Sequence, residues 1–107
     1  MAIDAMASNA AIVIDRYIVD VLMRDLIGHD RSPSAFLVYL VIQAEAGNGR
    51  ALLSHAAIAE RTGLSKRACQ NALALLRRRG LIEVSRTRGT EPAHYRPLRP
   101  WARSLAA

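Results

Sequence analysis

The chain has 107 residues, enough for one domain and little more, and 51% of them are hydrophobic, so it can bury a core and is not compositionally disordered. No apolar run approaches the roughly 18–20 residues that span a bilayer; the longest, Ala35 to Ile42, is of core size, which excludes a helical membrane protein. The net charge of +6 is split unevenly: residues 1–60 carry four Arg against seven carboxylates, a net of −3, whereas residues 61–107 carry eleven basic residues against Glu83 and Glu91, a net of +9. Such segregation gives the second half a nucleic acid or an anionic surface as its partner. Fourteen of the fifteen basic residues are Arg, whose paired donors suit phosphates and guanine edges; base composition accounts for a bias toward Arg but not for its placement. Cys69 is the only cysteine and cannot form an internal disulfide, and no basic stretch leads into an apolar block at the N-terminus; both are expected of a cytoplasmic protein.

Residues 1–10 read as a flexible tail. From about Ala11 to Gly28, Ile14, Tyr17, Ile18, Val21, Leu22 and Leu26 recur at steps of three and four, with Asp15, Arg16, Asp20, Arg24 and Asp25 between them, which predicts an amphipathic helix. Ser32-Pro33 then supplies an N-cap and a first-turn proline for a helix that runs to about Ala46 and stops at Gly47-Asn48-Gly49. This helix is apolar on all sides from Ala35 to Ile42. Its second face requires the first helix, a second subunit, or both.

Arg50 to Leu53 fits one short strand. Ser54 caps a helix of about eight residues, Gly63 supplies the left-handed residue at its end, and Ser65 caps the next helix, Lys66 to Arg79, whose inward stripe is Cys69, Ala72, Leu73 and Leu76. Gly80 ends that helix, and Leu81 falls where a Schellman motif places an apolar residue against Leu76. Leu81 to Thr87 reads as a strand, Arg88 to Pro92 as a turn, and Ala93 to Arg96 as a return strand stopped by Pro97.

The order is helix, short strand, helix, tight turn, helix, hairpin. With the run Ala57-Ile58-Ala59-Glu60-Arg61-Thr62-Gly63-Leu64-Ser65 followed by Lys66 through Ile82, the chain resembles the winged helix-turn-helix family of DNA-binding proteins over roughly Ser32 to Leu98, with Ile58 and Cys69 where leucine and valine are usual. Ser32-Pro33-Ser34-Ala35 before Val38-Tyr39-Leu40 is similar to replication-initiator-like and phage or plasmid regulators, and the layout also resembles MarR-like bacterial repressors. The fold class implied is mainly α with a small β-hairpin, a winged helix-turn-helix with an added N-terminal amphipathic helix. The domain reading is a tail at 1–10, a dimerisation helix at 11–31, the DNA-binding unit at 32–98 and a tail at 99–107.

Small Ala59 lets the two helices cross closely, Leu64 plugs the turn, and Cys69 with Leu73 holds the third helix against that plug. Its opposite face then presents Ser65, Lys66, Arg67, Gln70, Asn71 and Ala74, which are donors, acceptors, or small enough to admit a base edge, as a helix in the major groove requires. A polar face turned to water is the plain alternative; the turn before it and the basic hairpin after it favour DNA. Arg86, Arg88 and Arg96 on the hairpin suit the backbone or the narrow minor groove, although edge strands also use Arg to discourage aggregation. Arg77, Arg78 and Arg79 complement a helix C-terminus as readily as they contact phosphate.

His29, His55, His94 and Cys69 lack metal-ligand spacing, there is no phosphate-binding glycine loop and no nucleophile elbow, so neither a cofactor nor an enzyme is expected. The expected partner is double-stranded DNA, bound by a homodimer held through the first helix and acting as a bacterial transcriptional regulator. A replication or plasmid-maintenance factor, and a winged helix used only for protein interaction, are the alternatives. RNA binding is disfavoured because Tyr95 and Trp101 are the only aromatics near the basic face.

Overall fold

A computed structural model describes residues 10–86 and 92–102. The elements are a helix over residues 16–29 (α1), α2 Pro33–Ala46, β1 Ala51–Leu53, α3 His55–Thr62, α4 Lys66–Arg78, β2 Ile82–Ser85 and β3 Ala93–Pro97. The three strands form one antiparallel sheet in the order β1-β3-β2, with Ala51 opposite Tyr95 and Glu83 opposite Arg96. This is a winged helix-turn-helix, with the short strand β1 closing the edge of the hairpin.

Each helix start is set by the serine expected there. Ser32 Oγ accepts from the Ala35 N–H at 3.2 Å, Ser54 Oγ from Ala57 at 3.0 Å and Ser65 Oγ from Ala68 at 3.0 Å. The ends are equally local. Gly63 takes φ 78°, and its N–H reaches the Ala59 carbonyl at 2.8 Å. At Gly80, φ 70°, the Leu81 N–H bonds the Leu76 carbonyl at 2.9 Å and the Gly80 N–H bonds Arg77 at 3.1 Å, the Schellman pattern, with both leucines buried.

α2 is the hub. Ala35, Phe36, Val38, Tyr39 and Ile42 are all buried, between α1 on one side and α4 with β3 on the other. α1 lays Ile18, Leu22 and Leu26 into this core. They recur every four residues, and Ile14, ahead of the helix, is partly buried against the same core. In an α-helix of 3.6 residues per turn each such step drifts by about 40°, so the file would spiral off its partner. α1 instead contains two π-helical stretches, Ile18–Leu22 and Asp25–His29, closed by Met23 N–H to Ile18 O and by Asp30 N–H to Asp25 O at 3.0 Å. The wider turns hold the file in line.

Of the covers expected for α2, the first helix supplies one within the chain, with Ile18, Leu22 and Leu26 buried against it. One expectation is corrected. The segment from residue 99, expected as a tail, packs back in its described part: Trp101 is buried, stacks on Tyr17 with ring centroids 4.7 Å apart, and donates to Asp15 at 2.7 Å, while Arg99 makes two further bonds to Asp15 at 2.8 and 2.9 Å. Those bonds hold the Asp15 carboxyl below its ordinary range, Trp101 contributing most and Arg99 next. The Tyr39 hydroxyl donates to the Leu98 carbonyl at 3.1 Å, and the burial that seats it pushes its own ionisation up. Helix α1 starts at residue 16, not near Ala11. The remainder of both predicted tails, 1–9 and 103–107, lies outside the described residues.

Candidate nucleic-acid interface

The turn between α3 and α4 is built from hydrogen bonds as well as packing. Thr62 Oγ1 donates to the Ile58 carbonyl at 2.8 Å and accepts from the Leu64 N–H at 3.2 Å. It thereby satisfies groups on both sides of Gly63 and fixes where α4 leaves the turn. Ile58, Cys69, Ala72, Leu73 and Leu76 are buried beneath it, with Ala59 and Leu64 packed at the edge of the same core.

With that stripe buried, the opposite side of α4 is open to solvent. Ser65, Lys66, Arg67, Gln70, Asn71 and Ala74 are all exposed, as are Arg77 and Arg78. Residues 67, 70, 71, 74, 77 and 78 follow one another at steps of three and four, so they form one continuous stripe. There is no carboxylate anywhere in α4.

Beside the stripe, a shallow groove separates α4 from the hairpin. Its floor is Leu73, Ala74 and Val84; its walls are His55 from the first turn of α3, Arg77 from α4, Arg86 from the end of β2, and Tyr95 from β3. Burial pushes the Tyr95 hydroxyl upward, and the Arg86 guanidinium beside it pulls the other way. Beside the groove, Gln70 Nε2 lies 3.4 Å from His55 Nδ1. His55, Arg77 and Tyr95 were not foreseen as site residues. Arg77 was legible as one of three terminal arginines, but nothing in the sequence separates it from its neighbours. His55 and Tyr95 carry no sequence signal at all, because only the tertiary packing of β3 and the α3 start beside α4 brings them together.

The three terminal arginines divide. Arg79 turns away from the stripe and is held by Asp25 at 2.7 Å and by Asp30, which raises its pKa and ties the end of α4 to α1. His29, hydrogen bonded to Asp30, and Arg79 together hold the Asp30 carboxyl down. Of the hairpin arginines, Arg86 sits beside the α4 stripe. Arg88 lies outside the described residues. Arg96 is not brought to the stripe: its side chain leaves the outer face of the sheet at the base of the hairpin, pairs with Glu83 at 3.0 Å, and lines a separate surface with Gly47, Asn48 and Arg99. Alternation along β3 puts Tyr95 on the inner face toward α4 and therefore Arg96 on the outer one. Trp101, too, is a core residue and offers no stacking surface to a nucleic acid.

Residues 32–82 match the family model described as a helix-turn-helix domain. This segment is a helix-turn-helix domain. The match runs from the cap of α2 through both helices of the motif to the first residue of β2, so the helix-turn-helix domain includes the whole exposed stripe of α4 and leaves out α1 and most of the hairpin. The comparisons with curated proteins and with solved structures gave no match. Among the described residues no cluster of His, Cys, Asp and Glu could hold a metal ion, and no helix is long and apolar enough to cross a membrane.

Proposed function

We propose that this chain binds double-stranded DNA sequence-specifically as a bacterial transcriptional regulator, with α4 in the major groove and the hairpin along the backbone or minor groove. The observation that carries the reading is the exposed, carboxylate-free stripe of α4 beside a groove walled by Arg77 and Arg86. Lys66, Arg67, Gln70 and Asn71 offer donors and acceptors to base edges, and Ala74 leaves room for a thymine methyl or a close approach. Arg77, Arg78 and Arg86 flank them at the positions where phosphates run. The buried Trp101 and Tyr95 favour a duplex over unpaired RNA, which is held by stacking on exposed aromatics.

A homodimer held mainly through the first helix is part of this reading. Val19, Ile27 and Leu37 on the outside of α1 and α2 are each more than a third exposed. Sedimentation at micromolar concentration tests it; a clean monomer removes it.

The test of DNA binding is selection from a random duplex pool, followed by titration of the selected site at several salt concentrations. If Lys66, Arg67, Arg77, Arg78 and Arg86 each displace a counterion, log K falls with log salt with a slope of about −4 to −5, a loss of about 250- to 1,000-fold between 50 and 200 mM. No enriched sequence and a flat slope would make the domain a protein-interaction module instead.

A further inference from the structure

We propose that the cavity between the lead-in to α1, the end of α2 and Arg99 binds a free α-amino acid with an aliphatic side chain. The cavity shares no residue with α4 or its groove, so the site stands whatever α4 binds.

The cavity has a volume of about 450 Å³, within the range of small-ligand sites. It is lined by Ile12, Val13 and Asp15 from the extended stretch before α1, by Gln43 and Ala44 from the last turn of α2, and by Arg99. Gln43 is the one buried residue of that lining and therefore forms its floor, whereas Ile12 and Val13 are 62% and 86% exposed and form its rim. Gln43 is also the only buried amide or charged side chain among the described residues, and its Oε1 has no hydrogen-bond partner. A buried acceptor left unpaired is a standing cost that an apolar side chain of the same size would avoid. A donor brought by a ligand removes that cost.

Arg99 makes the opposite demand. Asp15 takes one edge of its guanidinium, with Nε donating to Oδ2 at 2.9 Å and Nη2 to Oδ1 at 2.8 Å. The second edge, Nη1 with the remaining N–H of Nη2, keeps two parallel donors at the spacing of a carboxylate. The side chain is 36% exposed, so a ligand reaches that edge. Asp15 keeps its negative charge, because the bonds from Trp101 and Arg99 hold its carboxyl below the ordinary range. The cavity thus holds a cation and an anion side by side. A ligand with only a negative group is opposed by Asp15, and one with only a positive group by Arg99. A zwitterion satisfies both, its carboxylate on the free guanidinium edge and its ammonium toward Asp15 and Gln43 Oε1. Ile12, Val13 and Ala44 then cover an aliphatic side chain and lose exposed apolar surface in doing so. No aromatic ring lines the cavity among the described residues, which favours an aliphatic ligand over an aromatic one.

The experiment is isothermal titration calorimetry of the full chain with the proteinogenic amino acids, one at a time, up to about 10 mM. Leucine, isoleucine or valine is expected to give a saturable isotherm. The deaminated and the decarboxylated analogue of that amino acid should each bind about 10- to 150-fold more weakly, the worth of a hydrogen bond to a charged group. Gln43→Leu keeps the size of the side chain and removes the acceptor. It should unfold no lower than wild type by circular dichroism and lose binding by a similar factor. Arg99→Lys keeps the charge without the fork and should lose binding too. The analogue series uses the wild-type chain alone and so tests the site whatever the variants do to the fold. No saturable binding by any amino acid overturns the inference. So does a Gln43→Leu chain that binds as tightly as wild type, or analogues that bind as tightly as the amino acid. An N-acetylated amino acid that binds as well as the free one also overturns it, because the site would then take the C-terminus of a peptide.

Discussion

Removing the Asp15 carboxylate is the most direct perturbation of the link between the two ends of the chain. In Asp15→Ala the Trp101 indole N–H loses its only acceptor. That residue is 8% exposed, so water does not replace the bond, and an orphaned buried donor costs about 1–3 kcal/mol. Arg99 also loses its partner, but its side chain is 36% exposed and turns to water, so its share is at most about 1 kcal/mol. Together they come to about 1–4 kcal/mol, centred near 2.5 kcal/mol. For a domain of this size each kcal/mol moves the unfolding midpoint by about 4–8 °C, so Asp15→Ala unfolds about 10–20 °C below wild type at pH 7. Asp15→Asn keeps one oxygen for the indole and loses only the charge, and falls about 5 °C. The pH dependence has a definite sign. Trp101 and Arg99 depress the folded-state pKa of Asp15. The stabilisation is therefore complete above the unfolded carboxyl pKa, near 4, and is lost as pH falls through the lower folded value. Thermal denaturation followed by circular dichroism from pH 7 down to pH 3 should show wild type and Asp15→Ala converging in acid. A variant within about 3 °C of wild type at pH 7, or a gap that persists unchanged to the lowest pH, would refute the reasoning.

Leu26→Ala removes a fully buried side chain between α1 and α2 and should cost about 2–5 kcal/mol in urea titration, whereas Leu52→Ala, at a position of β1 that is 59% exposed, should stay within about 0.5 kcal/mol. Arg86→Ala should weaken cognate and random duplexes by similar factors and flatten the salt slope by about one unit, and Gln70→Ala should act on the cognate site with the slope nearly unchanged. Arg96→Ala, with its side chain on the outer face of the sheet against Glu83, should leave duplex affinity close to wild type in the same titrations. Gly63→Ala meets no neighbour within 4 Å but forces a methyl group onto φ 78°, so it should lower stability by about 1 kcal/mol without moving the α4 contacts.

The elements from Ser32 to Pro97 were legible because each is marked by local chemistry. Three serines start helices, Gly63 and Gly80 end them, and the stripe Cys69-Ala72-Leu73-Leu76 separates the two faces of α4 without reference to anything distant. What failed to show was set by contacts far apart in sequence. The pairing of Asp15 with Arg99 and Trp101 spans more than eighty residues, so the C-terminal segment looked free. Arg79 looked like its two neighbours until Asp25 and Asp30 came to meet it. The stripe of α1 was visible, but a stripe names no partner, and the buried face of α2 sat in the same chain. Arg96 was grouped with the hairpin tip by proximity in sequence, whereas strand alternation and the long register of β2 against β3 put it on the other face at the base.

The wide turns of α1 bear on how this protein tolerates change in length. Each π-helical stretch carries one residue more than the α-helical path would use. In a regular helix, deleting one residue rotates everything on one side of the cut by about 100° and lifts half of the apolar file out of its seat. In α1, a deletion among residues 19–21 is taken up by closing a wide turn to α geometry, with Ile18 and Leu26 still directed at α2. The helix is in effect built with slack, and deletions of a single residue should accumulate there among related chains while the tightly wound α4 admits none.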